Sequence, residues 1–356
     1  MYKSIIKSFV ITILSILIPA ALAVYISDPY MLFHKHWFHK GKIYQNFRIQ
    51  NYGLIKYEDF DSIIMGTSML ENTSANEASE KLGSKFANLS TAGSTFYERY
   101  KILNFALQTK EIKHVIMSLD YIFFQARKTN FSFAPELYEE NNLLGKVKVY
   151  TSDKAFKCIF KSKKCDFIDD NLDRPNAWLN TEINARRFGG FQNWLKVYAE
   201  DEQIQSAIAE LRSKETDYSY EYAAYKEVVD TEILPLFKHK KTTFSLIIPP
   251  YSVIRWAKRK NNLEEMLRPY AYIVEKTADL KNVKIYWFYD EDFVYDIAQY
   301  KDTTHYHHFV NSLQLDAIKE GTHILNRENM EQKFAEFISR INAYDLEPLL
   351  RQIPPE

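Results

Sequence analysis

Residues 61–72 read DSIIMGTSMLEN, an apolar run that meets a glycine and two hydroxyl residues before helical spacing begins. A short run apolar at every position is the signature of a strand buried on both faces, the kind found in parallel sheets. The same form recurs as FANL (86–89), HVIMSLD (114–120), FSLIIPP (244–250) and VKIYWFY (283–289). Between them, MLENTSANEASEKLG and STFYERYKILNFALQTK carry helical periodicity, and Gly83 is placed to stop the first. Strand, helix and strand at this spacing predict right-handed βαβ units. The expected fold is therefore α/β: three layers, αβα, around a mostly parallel, flavodoxin-like sheet.

Ahead of this region, FVITILSILIPAALAVYI (9–26) has no charged residue and follows Lys3 and Lys7. At ~1.5 Å per residue it is long enough to cross a bilayer core. The run continues past AALA to Ile26, which favours a retained N-terminal anchor over a cleaved signal peptide. Lys35, Lys40 and Lys42 compete with Lys3 and Lys7 under the positive-inside rule, so charge alone leaves the orientation open. No second stretch of comparable length follows. Residues 1–27 read as the anchor or signal and 28–60 as a juxtamembrane lead-in. The sheet domain takes 61–325, and 326–356 form a C-terminal helix and tail. His34, His36 and His39 in the lead-in have no Cys or carboxylate beside them, which suits the headgroup level better than a metal.

Lysine plus arginine equals aspartate plus glutamate, 46 of each, so the broad basic footprint of a nucleic-acid binder is missing. Aromatic residues make up 15% of the chain, which fits either a packed core or stacking surfaces for sugars. Residues 121–191 interrupt the strand rhythm with a long insertion after the third strand, and a helical stretch at about 192–238 leads back to the sheet. The insertion carries the only two cysteines, Cys158 and Cys165, which read equally as a loop-closing disulfide or as unrelated thiols. There is no internal repeat or low-complexity tract.

Three short motifs sit where a parallel sheet binds ligands, beyond the carboxyl ends of its strands. GTS puts Ser68 after the first strand as a candidate nucleophile, although Thr67 or Ser68 could simply cap a helix. NLSTAGST puts Gly93 after the second, where a backbone N–H could approach an oxyanion or a glycine could merely serve a turn. DTTH puts Asp302 and His305 on one turn, a carboxylate to orient an imidazole and an imidazole to take a hydroxyl proton. His307 and His308 lie on the flank of the next helix without a ligand set around them.

In this order GTS, NLSTAGS and DTTH resemble blocks one, two and five of the SGNH (GDSL-like) hydrolase superfamily, over residues 60–125 and 240–325. The single anchor ahead of such a domain resembles bacterial surface-polymer O-acylation proteins. The resemblance implies an esterase or O-acyltransferase working through a seryl ester, without cofactor or metal. Ser68, Asp302 and His305 would be catalytic, and the N–H groups of Ser68 and Gly93 would form the oxyanion hole. It further implies an extracytoplasmic domain, a cell-envelope glycan or polymer as substrate, and a multi-span membrane-bound O-acyltransferase as partner. One departure stands out. Asp120 lies where the third block normally offers an Asn amide, and an ionised carboxylate cannot donate. Asn72, one turn after Ser68, is a possible substitute. Trp178, Trp194, Arg174, Arg186 and Arg187 are the expected glycan contacts of the insertion. Two readings without catalysis compete: an inactive SGNH-fold scaffold or glycan binder, and an unrelated flavodoxin-like ligand-binding domain.

Overall fold

The computed structural model describes residues 2–38, 42–125, 133–140, 142–160, 165, 167–169, 173, 182–213 and 222–353. His39, Arg174 and Trp178 lie outside them. The chain divides into two units: Met1–Asp59 with Gln108–Lys110 and Asn130–Asn171, and Phe60–Leu107 with Glu111–Thr129 and Leu172–Glu356.

In the first unit the apolar run forms one helix, Tyr2–Ser27, long enough to cross a membrane, and none of its side chains is buried in the protein. The chain then turns sharply, with Asp28 and Met31 at positive φ. The Asp28 carboxylate stabilises that turn by accepting the N–H groups of Leu32, Phe33 and His34 at 2.8–2.9 Å and the hydroxyl of Tyr150. Lys42–Tyr44 pairs antiparallel with Phe167–Asp169. Tyr138 donates to the Arg48 carbonyl and Asn142 to Tyr52, so the segment around Tyr138 and Asn142 packs with the lead-in. The stretch read as one insertion is thus shared between two units. Cys158 and Cys165 are disulfide-bonded.

The second unit is built on a six-stranded sheet: β1 (Ser62–Met65), β2 (Phe86–Asn88), β3 (His114–Ser118), β4 (Thr243–Ile247), β5 (Val283–Tyr286) and β6 (Ile324–Leu325). Its order is β2-β1-β3-β4-β5-β6, parallel throughout except for β6. Mixed α/β with a mostly parallel sheet is as the strand pattern predicts. The two-residue β6 was too short to register in that pattern. Ile64, Ile116, Ile247 and Tyr286 pack on one face with Ala75, Ala78 and Leu315 from helices Ala75–Leu82 and His308–Glu320. Ile63, Val115, Phe244 and Leu246, one residue out of phase, are equally buried on the other face. The reversal of direction from β1→β2 to β2→β3 puts helix Phe96–Thr109 on that second face under the right-handed crossover rule.

Gly83 ends Ala75–Leu82 as expected. The helical stretch before β4 is broken rather than continuous. Asp201 caps Glu202–Arg212 by accepting from Gln203 and Ile204, and a π-turn and a 3-10 turn precede the strand. The C-terminal helix Met330–Ala343 packs on Val253–Ala257 and Leu263–Thr277, with the Phe337 ring 5.3 Å from Trp256.

Candidate active site

In this strand order the crevice forms beyond the carboxyl ends of β1 and β3, where the connections leave in opposite directions. β1 delivers Gly66-Thr67-Ser68 there. Thr67 is the N-cap of the short helix Ser68–Glu71, its Oγ1 accepting the Met69 N–H at 3.3 Å. Because Thr67 does the capping, the Ser68 hydroxyl is free for another partner, and that partner is His305. Ser68 Oγ lies 2.8 Å from His305 Nε2, across 237 positions of sequence. His305 Nδ1 lies 2.8 Å from Asp302 Oδ2. Asp302 Oδ1 accepts the backbone N–H groups of Thr304 and His305, both at 2.8 Å. Burial alone would raise the Asp302 pKa. The His305 ring, its hydrogen bonds and Lys301 outweigh that effect and hold the carboxyl well below the usual carboxylate range. An ionised Asp302 fixes the imidazole with its proton on Nδ1, which leaves Nε2 to accept from Ser68.

The DTTH loop is held on both sides. Tyr300 and Tyr306 form an antiparallel bridge around it, Lys301 donates to the His305 carbonyl, and Ser252 Oγ donates to the Thr303 carbonyl at 3.1 Å. The loop is also tied directly to the serine. Tyr306 Oη and Asn311 Nδ2 both donate to the carbonyl of Met69, at 2.9 and 3.0 Å. On the other side, Asn88 Nδ2 donates to the carbonyls of Leu70 and Thr73, both at 2.8 Å. These supports were not predicted. For Tyr306 the available signal was its place directly after His305; for Asn88 it was an amide inside an apolar strand.

The Gly93 loop is laced to the serine loop through Gly66. The Gly66 N–H donates to Ser90 Oγ, and its carbonyl accepts from Thr91 N–H and Ser94 Oγ. Gly93 follows Ala92 in a turn closed by Ser94 N–H to Thr91 O, at φ 61°, which explains the glycine. A Cβ there would meet nothing within 4 Å, so backbone conformation and not close packing calls for the glycine. At Gly66 the close approach is real: a Cβ would stand 2.7 Å from Ser118 Oγ and 2.9 Å from Leu70 Cβ. Ala92 N–H donates to Glu71 at 3.0 Å. Among the described residues, neither the Ser68 nor the Gly93 N–H has a protein acceptor.

Asp120 is fully buried and saturated. Its Oδ1 accepts from Thr67 Oγ1 at 2.7 Å and Tyr251 Oη at 3.2 Å, and its Oδ2 from Arg99 Nη1 at 3.0 Å and Ser118 Oγ at 2.6 Å. Burial pushes the Arg99 pKa down and Asp120 opposes that shift. Asp120 therefore anchors the residue before Ser68 and offers no donor to a substrate. Asn72 closes the short helix, buried, with Oδ1 unpartnered, and it makes no hydrogen bond to Ser68 or His305.

Two expected substrate contacts prove structural. Trp194 is completely buried, and its indole donates to the Tyr300 carbonyl at 3.3 Å, behind the DTTH loop. Arg187 is buried against Asp201 and Gln203, where a guanidinium without partners would be costly. Arg186 is exposed near Glu200. His307 caps helix His308–Glu320 and its ring lies 4.2 Å from that of His308. Among the described residues no three His, Cys, Asp or Glu side chains gather as a metal site.

No protein-family model matches this chain, and no curated protein matches it either.

Proposed function

We propose that this protein is an SGNH-type serine esterase or O-acyltransferase, anchored by its N-terminal helix and acting on acyl groups of a cell-envelope glycan or polymer. One observation carries the reading: Ser68, His305 and Asp302 stand in a relay of two 2.8 Å contacts, at the switch point of a 2-1-3-4-5 parallel sheet. The two unengaged N–H groups of Ser68 and Gly93 support it. A flavodoxin-like binding domain would have no need to bring His305 to Ser68.

In this reading His305 Nε2 takes the Ser68 proton as Oγ attacks the acyl carbonyl. The N–H groups of Ser68 and Gly93 receive the charge that develops on the carbonyl oxygen. His305 then returns the proton to the departing alkoxide, leaving an acyl-Ser68 ester. Water or a sugar hydroxyl attacks that ester with His305 again accepting a proton, which passes to Ser68 Oγ as the acyl–Oγ bond breaks. Transfer to an envelope polymer requires an acyl donor from across the membrane, for which a multi-span membrane-bound O-acyltransferase is the partner the resemblance suggests. The same reading places the sheet domain on the extracytoplasmic side.

A non-catalytic scaffold draws on one observation, the saturated Asp120 in place of an amide donor. The test is labelling of the purified protein with a fluorophosphonate and turnover of p-nitrophenyl acetate, followed by intact mass. Loss of both in Ser68→Ala and in His305→Ala is expected. Folded wild-type protein that neither labels nor turns over would sink the enzyme in favour of the scaffold.

A further inference from the structure

Beyond helix Tyr2–Ser27, the large apolar side chains that are at least half exposed among the described residues are Trp37, Phe38, Leu143, Leu144 and Val147. All five belong to the first unit. Exposed apolar residues scattered singly need no explanation, but a set confined to two segments does. Both segments are fastened to the point where the chain leaves the long helix.

Residues 34–38 fold back along that helix. The Trp37 ring lies 6.1 Å from Tyr25, in the last helical turn, and is stacked on His34 at 3.9 Å. His34 Nε2 meets the Tyr25 carbonyl at 2.6 Å, and the Asp28 N–H bonds the Val24 carbonyl at 2.9 Å. Two of the terminal carbonyls that a helix end leaves open are thereby satisfied. Such closure is what a helix end in a poorly hydrated layer requires. Trp37 consequently sits at the depth of Tyr25, and both are residue types enriched where bilayer meets water.

The second segment is helix Leu143–Tyr150. Its inner side docks on the same turn: Tyr150 stacks on Tyr30 and Phe33, its hydroxyl bonds Asp28, and the Lys146 amine lies 5.0 Å above the Phe33 ring. Leu143, Leu144 and Val147 share a stripe turned away from the buried Gly145 and Val149, at the three- and four-residue spacing of one helical face. Lys148 flanks that stripe, exposed, as a basic residue beside an interfacial face does.

We infer that residues 34–38 and helix Leu143–Tyr150 form a collar that rests in the headgroup layer of the bilayer entered by helix Tyr2–Ser27. The occupant is lipid rather than protein because the apolar surface continues from the membrane-length helix through Tyr25 and Trp37. The inference rests on retention of that helix as an anchor.

Spin labelling tests it on the full-length chain, because Cys158 and Cys165 are joined and leave no free thiol. Nitroxides would be placed by Phe38→Cys, Leu144→Cys and Val147→Cys, and by Ile13→Cys within the helix. The protein would be reconstituted in phosphatidylethanolamine and phosphatidylglycerol vesicles, and collisions with oxygen and with a water-soluble nickel chelate compared. The collar requires oxygen collisions to exceed nickel collisions several-fold at all three sites, less strongly than at Ile13. A nickel-dominated, aqueous ratio at Phe38 and Leu144 beside a lipid ratio at Ile13 would overturn the collar while leaving the anchor. Suppression of both reagents at the collar sites would mean a protein cover, and would overturn it equally. An aqueous ratio at Ile13 would remove anchor and collar together.

Discussion

Thr67 Oγ1 donates to Asp120 Oδ1 at 2.7 Å while accepting the Met69 N–H, so one hydroxyl joins a buried ion pair to the turn that carries Ser68. Asp120 therefore acts through Thr67 and not on a substrate. If it merely stood in for a lost amide donor, Asp120→Asn would raise esterolysis. The geometry predicts the reverse. An amide at 120 leaves the fully buried Arg99 without its counter-charge, which costs about 3–5 kcal/mol in denaturant unfolding. Arg99→Met combined with Asp120→Leu removes both charges and should recover part of that stability, less the cost of leaving the Thr67, Ser118 and Tyr251 hydroxyls without this acceptor. Turnover should stay low in the pair, because a leucine side chain at 120 offers the Thr67 hydroxyl no acceptor.

Asp302→Asn separates orientation from bulk. Oδ1 of the new side chain can keep the N–H groups of Thr304 and His305, while the amide nitrogen is turned toward His305 Nδ1. The imidazole then has to accept at Nδ1 and carry its proton on Nε2, facing Ser68. A base in that tautomer cannot take the serine proton. Turnover should fall by about 10⁴, and above about pH 4 the fold should also lose the stability that the ionised carboxylate contributes. A loss below tenfold would show that His305 does not act as the base for Ser68.

The two glycines of the site should respond differently. Gly66→Ala drives a methyl into Ser118 Oγ, which itself holds Asp120, so about 1–3 kcal/mol of overpacking and a large loss of turnover are expected. Gly93→Ala enters open space and costs only the left-handed backbone, about 1–2 kcal/mol. Its turnover, assayed well below the melting temperature, should remain near that of the wild type. Equal loss in both variants would mean that the Gly93 loop tolerates no adjustment.

What the sequence disclosed followed locality. Runs such as SIIM and HVIMS are buried on both faces, so their apolar pattern alone announced the parallel sheet and the edge where Ser68 and Gly93 emerge. DTTH was legible because Asp302 and His305 share one turn. The pairing of Lys42–Tyr44 with Phe167–Asp169 was not, since neither three-residue strand has a period and only their distant partners define them. Trp194 and Arg187 misled because an aromatic ring and a guanidinium have the same composition in a glycan site as in a core. Only their partners, the Tyr300 carbonyl and Asp201, tell the two apart.

His114, at the start of β3, makes the stability of the second unit depend on pH independently of the active site. Burial, with Lys284 nearby, lowers its pKa to about 4 from an ordinary value near 6.5. Between those values the unfolded chain binds a proton that the folded chain refuses, so stability falls as pH drops from about 6.5 to 4. The full effect is at most about 3 kcal/mol, a ceiling because the ring is not wholly enclosed. Asp302 acts in the same direction but in a lower range: its depressed pKa stabilises the fold above about pH 4, and that contribution is lost only at stronger acid. The window from 6.5 to 4 therefore excludes Asp302, and because burial also lowers His307 and His308, a substitution at 114 is what singles out His114. His114→Gln, which can still bond Ser245 across the sheet, should unfold at nearly the same urea concentration as wild type at pH 7.5. At pH 4.5 it should be the more stable of the two. Parallel urea curves for both proteins across that window would show that His114 protonates without opposing the fold.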